Sequence, residues 1–145
     1  MRAVVQRVSQ GRVEVDGRLV NAIAAGLVVF VCAMDDEAPD ITAWAKRLCG
    51  LRVFPDATGK MNQSLLETGG SLLLISQFTL SADMKKGLRP SFKRASNPPL
   101  AAQQIEALTA ACAALGVPTF SGEFGADMKV TLCNDGPVTL FIDKP

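Results

Sequence analysis

SLLLISQFTLS, residues 71–81, decides how the rest of the chain is read. Leu72, Leu73, Leu74 and Ile75 form an unbroken apolar run, the mark of a strand covered on both faces. Ser76, Gln77 and Thr79 then follow, with Phe78 among them. Polar side chains at the end of a buried strand must find partners, because each one left unsatisfied costs about 1–3 kcal/mol. Two readings follow. The polar groups bond nearby backbone as the strand leaves the core, or they line a site.

Working outward, GLVVFVCAM at 26–34 is a second apolar run suited to the centre of a sheet. Arg2 to Val8 reads as a strand. Arg12 to Asp16 alternates with period two, Asp16-Gly17 is a hairpin turn, and Arg18 to Ile23 is the returning strand. Pro39 suits the first turn of a helix, whose buried stripe is Ile41, Trp44, Ala45 and Leu48 and which ends near Gly50. Leu51 to Phe54 reads as a short strand, residues 56–59 as a turn, and Met61 to Glu67 as a return segment. Asn97 caps a second helix with Pro98 at its first position. Ala101, Ile105, Leu108, Cys112 and Leu115 form its stripe, and Gly116 and Pro118 end it. Met128 to Cys133 alternates, with Lys129 and Thr131 on the face away from Met128, Val130 and Leu132. Asn134-Asp135-Gly136-Pro137 reads as a tight turn into a last strand, Val138 to Ile142. The expected fold is α/β: one domain, residues 1–145, with β-rich layers (α/β/β) or barrel-like sheets and two main helices packed on one side.

Composition bounds the function. The 145 residues fit one core. At 48% hydrophobic and 20% charged, the chain reads as soluble and globular. It has no apolar run of the roughly 20 residues that cross a bilayer. The charged start MRAVVQRVSQGRVEV lacks a signal-peptide core, so a cytoplasmic location and no membrane association are expected. Cys32, Cys49, Cys112 and Cys133 are widely spaced in apolar settings. They read as reduced core residues, with no metal site, cofactor or disulfide frame. The chain contains no histidine. A Ser-His-Asp triad, a Cys-His pair and a His-based zinc site are therefore excluded.

The net charge is only +1, yet Lys85, Lys86, Arg89, Lys93 and Arg94 fall in a stretch, 84–105, without an acidic residue. Such a run is either a solvated loop or a phosphate-contacting surface. A Gly-Pro pair such as Gly136-Pro137 is most often only a turn. Glycine nevertheless lets another group approach its main chain, and the bond into proline can be cis.

Ser76-Gln77-Phe78-Thr79 together with Asn134-Asp135-Gly136-Pro137-Val138-Thr139 resembles the D-aminoacyl-tRNA deacylases. The resemblance runs nearly the whole chain. It takes in MRAVVQRV at 1–8, GKMNQSL at 59–65, KGLRPSF at 86–92 and FGADMKVTLCNDGPVT at 124–139. Ser81, where an aromatic is common, and Cys32-Ala33-Met34 depart from the family pattern. On sequence alone neither departure touches the two key motifs.

The resemblance implies a homodimeric carboxylic ester hydrolase that acts in translation quality control. It would release D-amino acid from tRNA, accept glycyl-tRNA (glycine mischarged on alanine tRNA), and spare L-aminoacyl-tRNA. Ser76, Gln77, Phe78 and Thr79 would form the catalytic floor. A cis Gly136-Pro137 would enter the partner subunit's pocket, steadied by Arg7. Asn134, Phe124 and Met128 would help shape the substrate end, and the five basic residues would hold tRNA. An activated ester needs little chemical help, and backbone N–H groups near Phe78 and Thr79 could stabilise the oxyanion. Without histidine, Thr79 has no evident base. Attack by water helped by the ribose 2′-hydroxyl is favoured, with Thr79 as covalent nucleophile the alternative. A non-catalytic RNA-binding module and a purely structural dimer remain different classes of reading.

Overall fold

The computed structural model describes residues 1–35 and 38–144. Its strands are β1 (Arg2–Val15), β2 (Arg18–Ile23), β3 (Gly26–Cys32), β4 (Phe54–Pro55), β5 (Met61–Gln63), β6 (Ser71–Ser76), β7 (Thr119–Ser121) and β8 (Met128–Ile142). The helices are α1 (Ile41–Gly50), the single turn α2 (Leu65–Thr68) and α3 (Pro98–Ala114), with a 3-10 turn at Phe78–Ser81. The main sheet runs β2-β1-β3-β6-β7, and β8 pairs along the other side of β1. The β3–β6 and β6–β7 pairs are parallel and the others antiparallel.

β3 and β6 are apolar on both faces because each face has its own core. Leu27, Val29, Val31, Leu72 and Leu74 meet Trp44, Leu48, Ile105 and Leu108 of the two long helices. Val28, Leu73 and Ile75 face the other way, onto Val8, Val13 and Ile23. Both helices thus lie on one side, and the curled sheet of β1, β2 and β8 closes the other, in the expected α/β/β layering. β3 and β6 come unusually close where they begin. A Cβ on Gly26 would stand 1.9 Å from the Ser71 carbonyl oxygen. Only glycine fits there.

Several boundaries differ from expectation. The two N-terminal strands are one, β1. Pro39 lies outside its helix: Asp40 is the cap, accepting from the Ala43 N–H at 2.9 Å. Leu51 to Val53 form no ladder. Val53 donates its N–H to Leu51, and its carbonyl accepts from Arg7. Only Phe54–Pro55 pairs with β5, and the rest of the expected return segment is α2, whose Glu67 carboxylate takes the Ser64 N–H and hydroxyl, each at 2.7 Å. Asn97 does cap α3, accepting from the Leu100 N–H at 3.1 Å. Leu115, past the end of α3, is 37% exposed and outside the buried stripe.

Cys32, Cys49 and Cys112 are buried, but Cys133 is exposed. The reason is its parity: it shares the outer face of β8 with Lys129 and Thr131. Among the described residues, no helix is long and apolar enough to cross a membrane.

Residues 134–137 do not reverse the chain. Met128 pairs with Val15 and Ile142 with Ala3, so both halves of β8 run the same way along β1. Asn134 pairs with Val8 and Thr139 with Gln6. Residues 135–138 therefore face Arg7 alone, and the surplus backbone bulges outward.

Candidate functional site

Where β6 ends, its last residues open onto a cleft of about 690 Å³. Its wall includes Ser76, Gln77 and Phe78, together with Phe92, Pro98, Phe124 and Met128. Parallel pairing with β3 carries Ser76 to this edge, because the register sets Val31 beside Ser76. The Gln77 N–H donates to the Val31 carbonyl at 2.8 Å, which extends the ladder by one bond before the chain turns.

The 3-10 turn then begins. Phe78 and Thr79 are its opening residues, and the opening N–H groups of such a turn have no acceptor within it. Among the described residues no acceptor pairs with either N–H. The Thr79 hydroxyl oxygen accepts from the Gln77 side-chain amide at 2.6 Å. That amide is a donor and cannot take the hydroxyl proton.

Ser81 and Cys32 prove to touch the motif, contrary to the sequence reading. Ser81 donates its hydroxyl to the Phe78 carbonyl at 2.8 Å, and the Cys32 sulfur lies 3.5 Å from the same oxygen. Burial pushes the Cys32 thiol above its ordinary range, so it stays protonated. Phe92 was also missed, although it ends the motif KGLRPSF. Its ring meets Phe78 edge to face, centroids 5.3 Å apart. An aromatic inside a basic segment was the available signal.

The same contacts place the basic residues. Asp83 bridges to Ser91, Asp35 N–H donates to the Arg94 carbonyl, and Ser96 bonds to Ala33 and Met34. These bonds tie segment 83–96 to the mouth of the cleft. Lys85, Lys86, Arg89, Lys93 and Arg94 are all exposed along it.

Arg7, Asn134, Gly136 and Pro137 are not in the wall of the cleft. They form a second cluster at the bulge. Arg7 is buried, 8% exposed. Its guanidinium donates to the Asp135 carbonyl at 3.2 Å and the Val53 carbonyl, and lies 3.0 Å from the Asp135 carboxylate. The Asn134 amide donates to the carbonyls of Arg7 at 2.9 Å and Val138 at 3.0 Å, closing the base of the bulge. Gly136 and Pro137 stand exposed at its crest, joined by a cis peptide bond. Within one chain, then, the Ser76–Phe78 segment and the Gly-Pro pair lie in separate clusters.

Known proteins resemble this chain over nearly its whole length. Residues 4–143 match a family model described as D-Tyr-tRNA(Tyr) deacylase. A D-aminoacyl-tRNA deacylase of Cereibacter sphaeroides is 48% identical over 99% of this chain and 100% of its own length. One of Ruegeria pomeroyi is 50% identical, covering 99% of both. Among solved structures, a c-Myc DNA unwinding element binding protein superposes with a TM-score of 0.92 at 31% identity, covering 100% of this chain and 99% of that one. A probable eukaryotic D-amino acid tRNA deacylase superposes at 0.83 with 19% identity over 97% of each, which shows the shared fold.

Proposed function

The chain belongs to the D-Tyr-tRNA(Tyr) deacylase family, and from that premise we propose that it hydrolyses the ester of D-aminoacyl-tRNA with each pocket built from two subunits. The observation that carries the two-subunit part is the separation of the motifs. The floor at Ser76–Phe78 opens onto the cleft, whereas Gly136-Pro137 projects from the far bulge with Arg7 and Asn134 bracing it from behind. A braced, exposed main chain is suited to enter a neighbour's pocket.

In this mechanism the 3′-terminal adenosine of tRNA enters past Phe78 and Phe92, with the basic segment drawing in its phosphates. Water attacks the ester carbonyl, assisted by the ribose 2′-hydroxyl. The N–H groups of Phe78 and Thr79, without acceptors of their own, take the developing oxyanion. The tRNA oxygen leaves and the free amino acid is released. Thr79 stays uncharged and unattached, because its oxygen is held by an amide donor and the chain has no histidine to deprotonate it. The Gly136-Pro137 backbone of the partner receives the amino group and Cα hydrogen, which leaves no space for an L side chain. Glycine, with no side chain to exclude, would also be hydrolysed when esterified to tRNA, alanine tRNA included. The reaction draws on no cofactor or metal in this scheme, and its setting is cytoplasmic translation.

Matched D- and L-aminoacyl-tRNA, each given substoichiometric enzyme, test the activity. Multiple turnovers of the D ester alone are expected. Protection of both esters would instead favour a nucleic-acid binder, the reading suggested by the name of the 31%-identical structure. A labelled aminoacyl group trapped on Thr79 would overturn the water-attack step. For the shared pocket, subunits altered at Gly136 are mixed with subunits inactivated at the Ser76–Thr79 floor. Activity should return in the mixed dimer. Failure to return, with mixed dimers confirmed, refutes the crossed arrangement.

A further inference from the structure

Ser81 and Cys32 lie outside the floor motif, yet both converge on one of its atoms. The Phe78 carbonyl oxygen has the Ser81 hydroxyl at 2.8 Å and the Cys32 sulfur at 3.5 Å. Both residues are 1% exposed, so water does not compete for either interaction. The carbonyl they hold belongs to the peptide whose other end is the Thr79 N–H. A peptide is planar. Fixing its oxygen therefore fixes the direction of its N–H.

We propose that Ser81, backed by the Cys32 sulfur, is a positioning residue that sets the aim of the Thr79 N–H by holding the Phe78–Thr79 peptide plane from its buried side. The proposal rests on the reading above that this N–H meets the oxyanion. Ser81 touches neither substrate nor reacting atoms. It acts through one peptide, at the point where chemistry places the greatest demand on geometry. Its second acceptor, the Phe92 carbonyl at 3.4 Å, belongs to the residue whose ring packs on Phe78. The same hydroxyl thus sits between these two aromatic residues of the cleft wall.

The sequence contains a single Phe-Thr step, Phe78-Thr79. Labelling phenylalanine carbonyls with carbon-13 and threonine amides with nitrogen-15 therefore yields one doubly labelled peptide signal in the full-length protein. Ser81→Ala is expected to shift that signal and to lower kcat for D-aminoacyl-tRNA about tenfold, short of the 10²–10³-fold lost with a whole oxyanion donor. KM should be unchanged. Ser81→Cys keeps a weaker donor at similar volume and should fall between the two in both readings. An unmoved signal, an unchanged kcat, or a loss confined to KM overturns the proposal. So does a Ser81→Cys protein that matches the parent in signal and rate, whether or not the alanine variant folds. If the unaltered protein does not cleave D esters at all, the functional reading fails instead. The labelled signal then still reports whether Ser81 holds the peptide.

Discussion

Replacing Gly136 with alanine separates what this residue does for its own chain from what it does for the substrate. A Cβ built there meets nothing nearer than the Asn134 side-chain oxygen, at 3.9 Å. That is ordinary van der Waals contact. The residue is exposed, and its φ lies outside the left-handed range that disfavours a side chain. Within one chain the added methyl should therefore cost nothing. By narrowing the unfolded ensemble it should stabilise by about 0.4–1 kcal/mol, an upward shift of a few degrees in midpoint. The substrate side is different. If Cα of the amino acid rests on this main chain, the methyl must push the ester out of place by about 1 Å, and a displacement of that size costs about 100-fold in rate. At 1.36 kcal/mol per decade this is about 2.7 kcal/mol of lost transition-state stabilisation. Thermal unfolding and single-turnover deacylation of one D-aminoacyl-tRNA measure the two halves separately. A rate within about threefold of the parent would show that Gly136 does not border the substrate. A clear fall in melting temperature would refute the spacing argument itself.

Three further outcomes are expected. Gly26→Ala forces a Cβ against three backbone atoms of Ser71, at 1.9, 2.8 and 2.8 Å, and should destabilise by about 3 kcal/mol or more in urea unfolding; a loss under about 1 kcal/mol would mean the β3–β6 start can part freely. Neutralising Lys85, Lys86, Arg89 and Lys93 together should weaken tRNA binding and make its salt dependence shallower by about 0.7–0.9 for each phosphate no longer neutralised, whereas an unchanged slope returns the segment to plain solvated surface. Hydrogen bonds from Ser64 hold the Glu67 carboxyl below its ordinary value. Its contribution is therefore whole above about pH 4.3 and lost as pH falls through its lower native value. Glu67→Gln should flatten that acid limb of the stability curve, and an identical limb in the variant would show the cap is not titrating there.

Much of this was legible because it is local or periodic. The continuous apolar runs of β3 and β6 announce strands with two covered faces. Asn97 and Pro98 announce α3, whereas the polar residues ending the apolar strand left two readings open, and it is the resemblance that singled out Ser76–Thr79, of which Ser76, Gln77 and Phe78 line the cleft. The bulge was not legible. Asn134-Asp135-Gly136-Pro137 has the composition of a reversal, and only pairing with β1, more than 120 residues earlier, shows that the chain continues in its original direction. The link from Cys32 to Phe78 likewise spans 46 residues and leaves no periodic trace. Cys133 is a different case: the alternation that set Lys129 and Thr131 outward already placed it with them, but its apolar neighbours outweighed that parity.

The bulge also sits where two strands change allegiance. Before it, Met128, Val130 and Leu132 pack on the core that holds Val13 and Ile23; after it, Val138 is buried under the helices with Ala3 and Val5. Each half keeps its own register with β1 and strand side chains alternate, so a residue added or removed within either paired half would turn part of that half inside out, whereas the unpaired bulge between them can absorb one. Side chains at the crest can be exchanged without such a penalty, since nothing in the same chain packs on them. For the fold, spacing within the paired halves is therefore a stricter constraint than side-chain identity at the crest: a point change at the crest is local in its structural effect, while a one-codon insertion or deletion in a paired half reaches a core.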